Sequence, residues 1–185
     1  MQREEALELL HANLEAENLR KHCYASEAVM RSLAREKGED EELWGLTGLL
    51  HDMDLEICGD DMSVHADVAA RMLEERGAPP QMVEAVRMHN AEGLGLGERN
   101  DELQHALAAA ETVTGLIVAA ALVRPDKQLS GVKVSSLRKR MKEKAFARGA
   151  RREVIAECEL AGFELDEFLG LALEAMQGIS DDLGL

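Results

Sequence analysis

Residues 40–52 read Asp-Glu-Glu-Leu-Trp-Gly-Leu-Thr-Gly-Leu-Leu-His-Asp. Asp40 suits the cap of a helix that begins at Glu41 and runs to about His51, apolar at its end through Leu49 and Leu50. That helix finishes on an adjacent imidazole and carboxylate, His51 and Asp52. Neighbours on a helix point about 100° apart, but a helix end relaxes the angle, so both groups can converge on one cation. Imidazole suits Zn, Fe, Co, Mn or Ni, and a carboxylate can bridge two ions.

On both sides of this stretch, helix follows helix with Gly, Pro and Asx punctuation. Glu4 to Glu15 reads as an amphipathic opening helix, and Asn18 to Lys37 as a second that Gly38 ends. Ser63 can cap a helix that ends at Gly77, and Pro79-Pro80 can open one reaching Asn90. A long helix runs from Asp101 to Val123 before Pro125. Ser135 to Arg148, Arg151 to Ala161 and Asp166 to Ser180 supply three more. Ala91 to Asn100 reads as a loop; its Gly93-Leu94-Gly95-Leu96-Gly97 lacks the Lys-Ser or Lys-Thr of a phosphate loop and suggests a flexible connection or a lid. No segment alternates as a strand. The expectation is an all-α, single-domain multi-helix bundle over residues 1–185, with a core at about 18–123 and a basic lobe at about 124–185.

Composition agrees with that class. Apolar residues make up 46% of the 185, enough for a core, while aromatics are only 3%. The net charge of −15 favours solubility and speaks against nucleic acid as a partner of the whole surface. Cys23, Cys58 and Cys158 form no close pair and read as reduced thiols. Met1 to Glu8 lacks an apolar signal core, and Gly115 to Val123, taken as the longest apolar stretch, is too short to span a bilayer. Together these point to the cytoplasm. Residues 124–152 carry 11 basic side chains against two acidic ones, which leaves open an acidic partner or RNA.

Further polar groups fall on apolar helical faces. His22 lines up with Leu19, Ser26, Val29 and Leu33; His65 with Val68, Ala69 and Met72; His89 with Met82 and Val86; Glu111 with Leu107, Ala108 and Val118. A buried ionisable group needs a partner, and a metal cluster satisfies all of them at once. His11 and His105 suggest no role.

His22, then His51-Asp52, then the acid of Ala109-Ala110-Glu111-Thr112, resembles the HD-domain superfamily of metal-dependent phosphohydrolases across roughly Asn18 to Val123. Thr112 to Lys127, with Phe146-Ala147-Arg148-Gly149, is similar to a bacterial HD/HDIG-type subgroup. His65 and His89 match the two histidines that dinuclear members add. The chain departs at Glu111, where the family normally has Asp.

The resemblance implies two divalent transition-metal ions, Fe, Mn, Co, Ni or Zn. The first would take His22, His51, Asp52 and Glu111; the second would take His65, His89 and the other oxygen of Asp52. A hydroxide bridging the ions would hydrolyse a small phosphorylated substrate, a phosphomonoester or a nucleotide phosphodiester. Asp54 could orient the water or a ligand histidine, or simply cap the next turn. Two further classes stay open, a mixed-valence di-iron oxygenase and a metal-binding regulatory module whose chemistry Glu111 has detuned. For the substrate phosphate, Arg140, Lys144 and Arg148 at i, i+4, i+8 would form one helical stripe, with Lys127 and Arg124 beyond the Glu111 helix; the bland alternative is a solvated basic face. Arg20 and Lys21, beside His22, are weaker candidates.

Overall fold

The computed structural model describes residues 1–59 and 61–185, and among these no strand occurs. The long helices are α1 (Arg3–Asn13), α2 (Glu17–Lys37), α3 (Glu41–Leu50), α5 (Asp67–Glu74), α6 (Pro80–His89), α8 (Glu102–Leu122), α9 (Val134–Met141) and α11 (Leu165–Gln177). Four-residue helices stand between and after them: α4 (Leu55–Cys58), α7 (Ala91–Leu94), α10 (Arg152–Ile155) and α12 (Ser180–Leu183). The all-α expectation therefore holds.

Local chemistry sets the ends. Gly38 leaves α2 in the left-handed region at φ 76°, and its N–H returns to the Ala34 carbonyl. The Asp40 carboxylate accepts from Leu43 N at 3.0 Å, and the Asp101 carboxylate accepts from Gln104 N at 2.9 Å, capping α3 and α8.

Helices α2 and α8 are the framework. One apolar cluster gathers Val29 and Leu33 of α2, Leu107, Val113 and Leu116 of α8, and Phe168 and Leu169 of α11. The other joins Leu10 of α1, Leu49 and Leu50 of α3, Leu73 of α5, and Met82 and Val86 of α6. Each fully buried Leu contributes about 1.5–3 kcal/mol. Residues 124–185 thus pack onto the same α2 and α8 that carry His22 and Glu111. Helix α8 is long and apolar enough to cross a membrane by length and composition, which the choice of Gly115 to Val123 overlooked; 67% of its most apolar window is buried, the pattern of a core helix.

The closest joint is that of α2 with α3. A Cβ built on Gly48 would meet the Ser26 carbonyl oxygen at 2.7 Å, so the backbones touch where a side chain would otherwise stand. Gly48 lies one turn before the His51-Asp52 pair.

The helix expected over Arg151 to Ala161 is instead α10 followed by a 3-10 turn at Ala156–Glu159, and three further boundaries differ from expectation. The helix assigned to begin after Ser63 begins at Asp67, and His65 stands on the turn before it. That turn places Ala66 at φ 77°, a left-handed conformation that costs a residue with a Cβ about 1–2 kcal/mol. Buried hydrogen bonds from Ala66 N and Ala69 N to the Asp54 carboxylate, at 2.8 and 3.0 Å, hold it there. Second, part of the expected 91–100 loop is the helical turn α7. Third, α9 stops at Met141 instead of Arg148. The Arg152 guanidinium donates to the carbonyls of Arg140 (3.2 Å), Glu143 (3.2 Å), Ala147 (3.1 Å), Phe146 and Ala150, and the main chain there keeps only tight turns, Glu143 N to Arg140, Phe146 N to Glu143 and Ala150 N to Ala147, in place of a continuing α-helix. Arg140, Lys144 and Arg148 consequently form no stripe.

Candidate metal centre

The Asp52 carboxylate sits amid four imidazoles. Its Oδ1 lies 3.4 Å from His51 Nε2, 3.3 Å from His65 Nε2 and 3.2 Å from His89 Nε2; its Oδ2 lies 3.5 Å from His22 Nε2. The rings also meet in pairs, His22 Nε2 to His51 Nε2 at 3.2 Å and His65 Nε2 to His89 Nε2 at 3.1 Å. His51, Asp52, His65 and His89 are buried, and His22 is partly so.

The outer ring nitrogens explain the arrangement. His51 Nδ1 donates to the Gly48 carbonyl at 2.8 Å, and His89 Nδ1 to the Val86 carbonyl at 2.6 Å, each one turn back at a helix end. His65 Nδ1 donates to Asp54 Oδ1 at 2.8 Å. The Thr114 hydroxyl spends its proton on the Glu111 carbonyl at 2.7 Å, so it accepts from His22 Nδ1 at 3.0 Å. These partners assign the proton of every neutral ring to Nδ1 and leave four Nε2 lone pairs facing one carboxylate. Acceptors crowded in this way call for a proton or a metal cation between them. The donor set divides into two triads, His22, His51, Asp52 and Asp52, His65, His89, each with ligand atoms within 4.8 Å of one another. Imidazole and carboxylate on outer hydrogen bonds fit divalent metal ions.

A family model for the HD domain matches residues 19–123. The chain belongs to the HD-domain family. HD domains are generally metal-dependent hydrolases, and the buried His/Asp cluster of this one fits that chemistry. No curated protein and no solved structure matches the chain.

In the metal-free HD domain, protons stand in for the ions. Burial opposes a charged His65, but its bonds to Asp52 and Asp54 outweigh that and raise it to about 9. Its neighbour His89 is lowered, chiefly by burial. In the other pair burial lowers His22 to about 4, while His51 is raised because Asp52 outweighs its burial. Burial also opposes the charge of Asp52, yet the histidines hold it well below the carboxylate range. One ring of each pair, His51 and His65, thus holds a proton more tightly than a free imidazole does, and that proton opposes an entering ion. Because the protonated form of His65 persists up to about pH 9, apparent metal affinity at its triad is expected to rise about tenfold per pH unit below that value. A pH-independent affinity between pH 6 and 8, measured by competitive chelator titration, would contradict this.

The other site residues are placed as follows. Glu111 lines the cavity above the cluster but lies outside both triads, its Oε1 accepting from the Thr112 hydroxyl at 2.5 Å. Burial raises its carboxyl to about 7, against the pull of His51. Asp54, expected as a catalytic group, is fully buried with its oxygens bonded to His65, Ala66 and Ala69; it orients the His65 ring and caps α5 from a distance. None of Lys127, Arg140, Lys144 or Arg148 lines the cavity. Lys127 lies beyond Leu122, the far end of α8, which is about 16 Å along the helix axis from Glu111, and Arg140 pairs with Glu143 and stacks on Phe146. Arg20 donates to the carbonyls of Leu14 and His11, and Lys21 pairs with Glu17.

Sequence reasoning missed three groups. Arg151 lines the cavity. Thr114 fixes His22, and its place three residues after Glu111 on one helix was a usable signal. Arg99, with 5% of its side chain exposed, donates to the His89 carbonyl at 2.9 Å and to Glu157 at 2.9 Å, where His105 also bonds, giving that histidine a supporting part.

Proposed function

We propose that this HD domain is a metal-dependent phosphohydrolase of the cytoplasm, acting on a small phosphomonoester or nucleotide phosphodiester with two divalent ions. The observation that carries the reading is the set of four Nε2 lone pairs converging on the two oxygens of Asp52, beside an open cavity. His22, His51 and Asp52 would hold one ion and Asp52, His65 and His89 the other. Such ions supply a hydroxide from water near neutral pH and neutralise the phosphoryl oxygens. The chain's own part is orientation. Gly48, Val86, Asp54 and Thr114 fix the four rings, and Asp52 presents Oδ1 to His51, His65 and His89 and Oδ2 to His22.

Glu111 is the proposed further oxygen of the first ion, since it shares the cavity and its Thr112 partner is a hydroxyl that can turn away. The test is metal analysis of anaerobically purified protein, with a phosphatase screen supplemented with Mn, Co, Ni or Fe. Phosphate release that follows metal content supports the reading; metal-loaded protein releasing none from any monoester or diester overturns it. Glu111→Gln is expected to lower metal occupancy of the first triad about tenfold and leave the second unchanged. Equal loss at both triads would contradict its assignment.

A further inference from the structure

Asp52, His65, His89, Glu92, Glu111 and Arg151 surround an open cavity of ≈ 330 Å³, with Leu55 and Met62 giving it an apolar side. Arg151 enters it from the residue just before α10, held there by the cage that Arg152 makes with five carbonyls. Its side chain is 46% exposed, and among the described residues its one ion-pair partner is Glu92, at 3.4 Å. Glu92 does not depend on that contact. The buried Arg99 donates to both of its oxygens, at 3.2 and 3.4 Å. Arg99 is itself anchored on Glu157 and the His89 carbonyl. Arg151 can therefore leave Glu92 without stranding a carboxylate, and only a long, solvated contact is lost.

We propose that Arg151 is the phosphate clamp of this cavity, parked on Glu92 when the site is free and moving onto the substrate's phosphoryl oxygens when it fills, and that the substrate is a phosphomonoester with an uncharged remainder seated against Leu55 and Met62. This rests on the phosphohydrolase reading above. The charges select the class. With two divalent ions in place, their water not yet ionised and the imidazoles neutral, the ions, Arg151, Asp52, Glu92 and Glu111 sum to two positive charges, the complement of one phosphomonoester dianion. A polyphosphate or a nucleic-acid backbone would bring its surplus charge against Glu92 and Glu111. A guanidinium grips two phosphoryl oxygens through a planar fork of parallel N–H donors, a fixed geometry that an ammonium lacks.

The test is titration of Mn-loaded full-length protein with inorganic phosphate by calorimetry, alongside metal analysis of every variant. Arg151→Ala is expected to weaken phosphate binding by about ten- to a hundredfold with metal content unchanged. Arg151→Lys is expected to recover only part of that loss. Glu92→Gln, which removes the competing partner, is expected to tighten phosphate binding several-fold, an opposite sign that a merely structural role would not give. In turnover, Arg151→Ala should raise KM for a small monoester far more than it lowers kcat. Wild-type and Arg151→Ala proteins binding phosphate equally would overturn the clamp while leaving the phosphohydrolase standing. Loss of metal from Arg151→Ala, or weaker binding in Glu92→Gln, would also overturn it. A loaded wild-type protein that binds no phosphate would instead bring down the underlying reading.

Discussion

Asp52→Ala is expected to purify with no transition metal and to release no phosphate at any pH. No other variant removes a ligand from both triads, because Asp52 lies 3.2–3.5 Å from all four Nε2 atoms and is the only anion in either set. Four neutral imidazoles without it can still gather one ion weakly, but they cannot offset the charge of two. The metal-free variant changes in a second way. The protons on His51 and His65 lose the carboxylate that stabilises them, so both rings should titrate at lower pH than in the parent. Metal analysis by mass spectrometry and histidine titration by NMR check the two effects separately. Retained metal with full turnover would remove the cluster from the mechanism.

Asp54→Asn is expected to split the two triads. Asp54 accepts from two backbone N–H groups and from His65 Nδ1. An Asn oxygen can satisfy the backbone donors, so α5 keeps its cap and the fold survives. The amide NH2 then faces His65 Nδ1 and donates to it, which moves the ring proton to Nε2 and takes away the lone pair aimed at Asp52. Metal affinity at the His65–His89 triad should fall about 10- to 100-fold while the His22–His51 triad is spared. Asp54→Ala is harsher. It strands a buried imidazole N–H and two buried amides, and is expected to cost about 3–5 kcal/mol of stability. Metal content and denaturant unfolding separate the variants; Asp54→Asn retaining both ions at parental affinity would refute the tautomer argument.

What could be read beforehand was whatever one segment encodes by itself. Asp40 and Gly38 mark the ends of their helices through local geometry, and His22, His51, His89 and Glu111 lie on apolar faces that periodicity exposes. His51 and His89 each bond a carbonyl three residues back, so even their ring orientation belongs to a helix end. Legibility failed where distant residues decide the backbone. His65 leaves its expected helix because a carboxylate 12 positions away captures the Ala66 amide. The basic stripe breaks because Arg152, beyond its end, captures the carbonyls that would have continued α9. Helices α4 and α7, four residues each, are too short to show a period. Arg151 could not be singled out among 11 cations, since only the returning chain brings it over Glu111.

The joint at Gly48 bears on how freely this protein can vary. His22 rides on α2 and His51 ends α3, and their separation is set where main chain meets main chain at Ser26 and Gly48. Neighbouring Leu, Val and Ala residues can therefore exchange among themselves over generations without retuning the distance between the two imidazoles. Position 48 has no such latitude, and a lineage that acquires a side chain there must shift one whole helix and lose the spacing with it.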